Sequence, residues 1–221
     1  MLRFLLAATA VLMIPTTASA ATELILNGGF ENPVVSNPCC STVPPASLPD
    51  WTVTPNVNVV NGTFASSPSG TNLAYELNQY LDLVGEGGTG SISQSFATVA
   101  GQVYTLTFAF AHNLFSGTPS ASASYSVGTL AGTLLHSTGT NANLDWQIFT
   151  GNFTALGSTS TLNFTNLTGG VNEGILLDAV SVQQAVPEAS TWAQLLIGFG
   201  LVGGAMRFSR RRRRVAIPAA V

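Results

Sequence analysis

The sequence predicts an all-β protein built as an antiparallel β-sandwich, and three observations predict it. Stretches such as "QVYTLTFAFAHN" alternate strictly, with Tyr104, Leu106, Phe108 and Phe110 on one face and Thr105, Thr107 and Ala109 on the other. Gly, Pro, Asn and Ser punctuate the chain about every ten residues, the spacing of short strands joined by turns. No apolar stripe of helical period interrupts this pattern before the C-terminus.

The chain opens with "MLRFLLAATAVLMIPTTASA", in which Arg3 precedes an apolar run from Phe4 to Ile14 and the small-x-small site Ala18-Ser19-Ala20 closes it. This order of parts is a secretory signal peptide, residues 1–20, and puts the mature N-terminus near Ala21. Residues 21–184 are long enough for one well-buried core and too short for two domains. Their strands are expected in "WTVTPNVNVV", "GSISQSFATV", "QVYTLTFAFAHN", "ASASYSVG", "WQIFTGNFTA", "STLNFTN" and "GILLDAVSVQ". Residues 32–50, "NPVVSNPCCSTVPPASLPD", carry five prolines and read as a long loop.

Charge divides the chain sharply. It has no lysine, and its seven arginines are Arg3, Arg207 and Arg210 to Arg214. Between Ala21 and Val186 lie nine acidic and no basic residues, a formal charge of −9. Arginines flanking apolar segments mark the cytoplasmic side, so the region between them is exported. Without cations to displace counterions it binds no nucleic acid.

The C-terminus carries a short motif, an apolar helix and an arginine block in that order. Trp192 to Met206 would make ~22 Å of helix, short against a hydrocarbon core of ~30 Å. The stretch is expected to form a single transmembrane helix over 191–206, entered irregularly at Pro187 and stopped by the arginines at 207–214, with a tail at 215–221. Pro187, Glu188, Trp192 and Ala193, the glycine-rich helix with Gly198 and Gly200, and Arg210, Arg211 and Arg212 resemble the PEP-CTERM sorting signal of double-membraned bacteria. The resemblance covers residues 185–214. It implies inner-membrane anchoring, cleavage by an exosortase-type enzyme, and release to the cell surface or an exopolysaccharide matrix. Ala189 departs from it, since a second proline is common there.

A second resemblance rests on four blocks in order: "LILNGGFENP", "LPDWTV", "LDLVGEGGTGSISQSFATVAGQVYTLTFAFA" and "STLNFTNLTGGVNEGILLDAVSV". Together they are similar to the choice-of-anchor C group of exported domains, whose fold is a galactose-binding-like jelly roll. The resemblance implies a carbohydrate-binding-module-like domain. It also implies a structural Ca²⁺ held by Gly29 (through its backbone carbonyl), Glu31 and Asp178. Ala179 follows Asp178 where that group usually has a second Asp or an Asn.

The residues themselves reach Asp178 separately. Alternation in "GILLDAVSV" puts it on one face with Leu176, Val180 and Val182, the face expected to meet the core. A buried carboxylate needs a partner or becomes neutral, and this domain has no lysine or arginine to supply one. Backbone amides, a protonated pair or a hard cation such as Ca²⁺ remain.

Among aromatic residues, Trp51 after the Pro-rich stretch is the candidate sugar-stacking platform, whereas Trp146, within a strand pattern, is expected in the core. Cys39 and Cys40 are adjacent, and an exported protein meets oxidising conditions, so a vicinal disulfide, intermolecular bridges or free thiols stay open. No metalloprotease, hydrolase or P-loop motif occurs, and His112 and His136 are isolated in sequence, so no catalysis is expected. Two functions fit: an exported binder of neutral or Ca²⁺-bridged glycan, and a structural matrix protein making protein–protein contacts.

Overall fold

The computed structural model describes residues 22–36, 40–44, 47–63, 71–85, 88–115, 117–185 and 189–213. The signal peptide, Pro187, Glu188 and the tail lie outside the described residues. In chain order the strands begin with β1 (Cys40–Val43), β2 (Thr52–Thr54), β3 (Val57–Asn61) and β4 (Gln79–Asp82). The short β5 (Val84–Gly85) and β6 (Gly88–Thr89) precede β7 (Ser91–Ala97) and β8 (Val103–His112). Then come β9 (Ala121–Val127), β10 (Leu130–His136), β11 (Gln147–Thr154), β12 (Thr159–Thr168) and β13 (Ile175–Gln184), followed by helix α1 (Ala189–Arg213).

The long strands form two antiparallel sheets. One has the order β1-β3-β4-β13-β8-β11, the other β10-β9-β12-β7-β2. Alternation explains the packing: Tyr104, Leu106, Phe108 and Phe110 on β8 all enter the main core between the sheets. Phe108 sits at its centre, stacked on Phe149 at 4.9 Å and edge-on to Phe164 at 5.0 Å. Such ring pairs add about 0.5–1.5 kcal/mol each beyond area burial. Between β9 and β10, Gly128 turns at φ 52°, and a Cβ there would press on the Phe153 ring and the Thr154 carbonyl.

Two expectations change. The Pro-rich stretch is not loop throughout, since β1 pairs Cys40–Val43 with Val57–Val60 at the sheet edge. Pro44 falls just after the strand, where a missing N–H breaks no ladder bond. Asp178 does not share a face with Val180 and Val182. Ala179 adopts φ 50° and the β13–β8 register shifts between Asp178 and Ser181, a bulge that flips the alternation. Val180 and Val182 therefore enter the main core, while Leu176 joins a second apolar cluster with Val60, Tyr80 and Ala111 on the outer face of the six-stranded sheet. Asp178, two residues from Leu176 and before the bulge, lies on that outer side.

The C-terminal expectation of a helix holds, and α1 runs on through the arginines. Among the described residues no helix is long and apolar enough to cross a membrane. Four glycines within 198–204, with Ser190, Thr191 and Gln194 before them and arginines after, dilute its apolar stretch. Leu195, Ile197, Phe199, Leu201, Val202 and Met206 on α1 are all exposed.

Candidate functional site

The 71–79 segment leaves the sheet surface between β3 and β4 and covers part of the outer face. Its shape is set by side chains that cap its amides. Glu31 Oε1 accepts from the N–H groups of Asn78 and Gln79, both at 2.8 Å. Gln79 in turn donates to the carbonyls of Phe30 and Pro33, fixing the turn that presents Glu31. Asp178 Oδ2 accepts from Tyr75 N–H at 2.9 Å and Glu76 N–H at 3.1 Å, and its Oδ1 accepts from Ala179 N–H at 2.7 Å.

The three residues expected around a cation thus all meet this segment. A Cβ on Gly29 would lie 2.8 Å from Glu76 Oε1 and 3.8 Å from Asp178 Oδ1, so two carboxylates converge on Gly29. Glu31 instead spends an oxygen on two amides. Burial raises Asp178 to about 7, and the charge of Glu76 adds to the rise against the backbone hydrogen bonds. Among the described residues no group of three or more His, Cys, Asp or Glu side chains is arranged to hold a metal. The donor set fits a hard cation in part: hard oxygens at Glu76 and Asp178, with the Gly29 backbone beside them.

The same segment carries the exposed aromatic surface. Tyr75 is 46 % exposed, and Trp146 stands edge-on to it with centroids 6.3 Å apart. Trp146 is half-buried, packs edge-on against Tyr80 at 5.8 Å, and donates Nε1–H to the Leu73 carbonyl at 2.8 Å. This bond ties the indole to the segment that presents Tyr75. Next to the pair runs a strip of the outer face on β8, β11 and β13. Ile148 is half-exposed there, opposite Ala109, and Thr150 lies opposite Thr107, with Ser181 beyond it. Asn152 accepts from Thr105 Oγ1–H at 2.9 Å at the far end. Among the described residues Glu23 brings a carboxylate to this end, and Ser181 Oγ–H and Gln183 Nε2–H bond it.

Trp51 is not the exposed platform its position suggests, while Trp146 packs half-buried against the second apolar cluster, as expected. Trp51 is 4 % exposed, tilted against Phe30 at 5.6 Å, with Nε1–H donated to the Asn27 carbonyl. Both its faces are covered, so it is a core residue and no platform. Trp146 immediately precedes β11 in the same outward phase as Ile148, while Phe149 and Phe153 point inward. Tyr75 lies outside any strand, where hydrophobic periodicity carries no signal. Cys40 is disulfide-bonded, and Cys39, the other cysteine of the chain, lies outside the described residues. Of the residues expected to form a sorting motif, Trp192, Ala193, Gly198, Gly200, Arg210, Arg211 and Arg212 lie on α1.

A family model described as a protein of unknown function (DUF642) matches residues 23–183. No curated protein matches the chain. A crystal structure of a cyclase from Fischerella sp. TAU is similar at TM-score 0.50 and 17 % identity, covering 73 % of this chain and 96 % of that one, which shows a shared fold. A galactotriose complex of the carbohydrate-binding module TmCBM61 reaches TM-score 0.49 at 16 % identity, over 74 % and 100 % of the two chains. A family 35 carbohydrate-binding module from Clostridium thermocellum reaches 0.39 at 15 %, over 66 % and 98 %.

Proposed function

The chain belongs to the DUF642 family, and for it we propose an exported, non-catalytic protein that binds neutral glycan on the outer face of its six-stranded sheet. One observation carries the reading: an exposed Tyr75, braced by Trp146, at the head of a strip of threonine, serine and asparagine side chains. An aromatic face covers the C–H side of a pyranose, and hydroxyl and amide groups match its O–H groups. The net charge of −9 between Ala21 and Val186 disfavours an anionic polysaccharide unless a cation bridges it.

Two further readings support this one. Export rests on the signal-like N-terminus and on the PEP-CTERM-like ending, which we read as a removable address recognised by an exosortase-type enzyme. The exposed apolar side chains of α1 are consistent with a segment that another apolar surface receives. A structural Ca²⁺ would sit between Glu76 and Asp178 beside Gly29, with Glu31 as the amide cap of the same segment. We read the protein as non-catalytic because the chain carries no metalloprotease, hydrolase or P-loop motif and both histidines are buried.

Tryptophan fluorescence of the full chain, titrated with neutral and with uronic-acid-containing oligosaccharides, tests the proposal. Saturable quenching by the neutral set alone is expected. No change with either, or a response confined to the anionic set, overturns it and leaves the structural matrix role.

A further inference from the structure

His112 closes β8 and His136 closes β10, and the fold brings their rings together inside the sandwich with no exposure of either. Their Nδ1 atoms lie 2.7 Å apart. His112 Nε2 is 3.1 Å from the Thr118 carbonyl oxygen, and His136 Nε2 is 2.9 Å from that of Asp145. A carbonyl oxygen only accepts, so each Nε2 carries a proton. Two bare Nδ1 atoms at 2.7 Å would set lone pair against lone pair, and two Nδ1–H groups would collide. One proton between them satisfies all three contacts. Three hydrogen bonds thus use three ring protons, one more than two neutral imidazoles possess. We infer that His112 and His136 share a single proton between their Nδ1 atoms, forming a buried imidazole–imidazolium pair of charge +1.

The surroundings suit one positive charge and no more. No lysine or arginine lies between Ala21 and Val186. Glu173, buried in the turn before β13, accepts from Thr118 Oγ1–H, so it reaches the pair through the residue that holds His112. Asp82 on β4 lies behind Glu173 and is bonded by Asn113. The Asp145 side chain is at the surface, and only its carbonyl faces the pair. From β8 the Phe110 ring meets His136 edge-on at 6.0 Å, while β9 and β13 present Ala121 and Ile175 in register. Burial lowers His112, and the charge of His136 lowers it further, against the pull of Thr118 and Glu173.

The shared proton has a structural consequence. When it leaves at high pH, one Nε2 must give up its hydrogen or the two Nδ1 lone pairs must face each other. Either the 113–120 segment or the Asp145 turn loses its tether. The second precedes Trp146, so the pair holds the turn that carries this indole. The pair is independent of whether the outer face binds a sugar.

The chain has two histidines, so incorporation of ring-¹⁵N histidine into the full-length protein labels four ring nitrogens and nothing else. Near neutral pH, three of the four are expected to be protonated, with one strongly deshielded proton correlated to both Nδ1 atoms. Two ring protons, with an Nε2 left bare, overturn the inference. As pH is raised, loss of the shared proton is expected to lower the protection factors of the Asp145 and Trp146 amides by about tenfold, beyond the intrinsic base-catalysed rise in exchange. Unchanged protection factors overturn the tether. His136→Gln is expected to abolish the deshielded proton and leave His112 neutral with Nε2 protonated. Should that variant not fold, the wild-type spectrum decides alone.

Discussion

The indole of Trp146 stands edge-on to the ring of Tyr75, with 6.3 Å between centroids and 63° between planes. One ring is anchored by its N–H and the other is open to solvent, an arrangement that presents a face while fixing its orientation. Tyr75→Ala is expected to weaken binding of a neutral oligosaccharide at least tenfold, ~1.4 kcal/mol, with little change in thermal stability. Trp146→Ala is expected to lose both binding and stability, because Tyr80 and Leu73 lose their partner. Trp51→Ala should destabilise by roughly 3–5 kcal/mol, as large-to-small core changes do, without a selective effect on binding. Titration and thermal unfolding of the three variants separate these outcomes.

The pH dependence of stability should carry the signature of Asp82. Burial raises this carboxyl to about 7, outweighing its bonds from Asn113, Val84 and Gly174. A folded value above the unfolded one means stability that is full below the unfolded value and lost as pH rises through the folded one. Stability is therefore expected to fall between about pH 4 and pH 7 from this group. Asp82→Asn should flatten that fall while losing the Asn113 bond, about 1 kcal/mol. Denaturant midpoints at several pH values read the slope; an identical slope in both proteins would count against the assignment.

Ala179 turns the alternation of β13 with φ 50°, a region where a Cβ costs roughly 1–2 kcal/mol. Ala179→Gly is expected to raise stability by up to about 1 kcal/mol, part of the relief being offset by backbone entropy. Ala179→Val should lower it by roughly 1–2 kcal/mol, since a branched Cβ tolerates this region least. Equilibrium unfolding of both variants checks the sign.

Calcium is expected to raise the melting temperature of the wild-type chain, and a chelator to reverse the gain. Asp178→Asn should abolish the response. A chain whose melting temperature ignores both additions would mean that the amides of Tyr75, Glu76 and Ala179 satisfy Asp178 unaided.

Much of this architecture was legible in the sequence because period-two alternation is a local signal. β8 and β12 place the same residues inward that their patterns predict. The strand within the Pro-rich stretch was hidden, since Cys40–Val43 is held by its edge pairing with β3 and not by its own pattern. The bulge at Ala179 was also hidden, because nothing in "DAV" announces a positive φ, and it reversed the face assigned to Asp178. The burial of Trp51 was hidden for a related reason, since Phe30 from another turn encloses it, whereas Trp146 packs against the second cluster as its strand context suggests. His112 and His136 stand 24 positions apart, and only the meeting of two strand ends makes them a pair.

The central claim is tested most directly by co-sedimentation of the folded full-length protein with an insoluble neutral polysaccharide, beside Tyr75→Ala. Wild-type protein is expected in the pellet and the variant in the supernatant. Wild-type protein left in the supernatant, or a variant that pellets equally well, would contradict it.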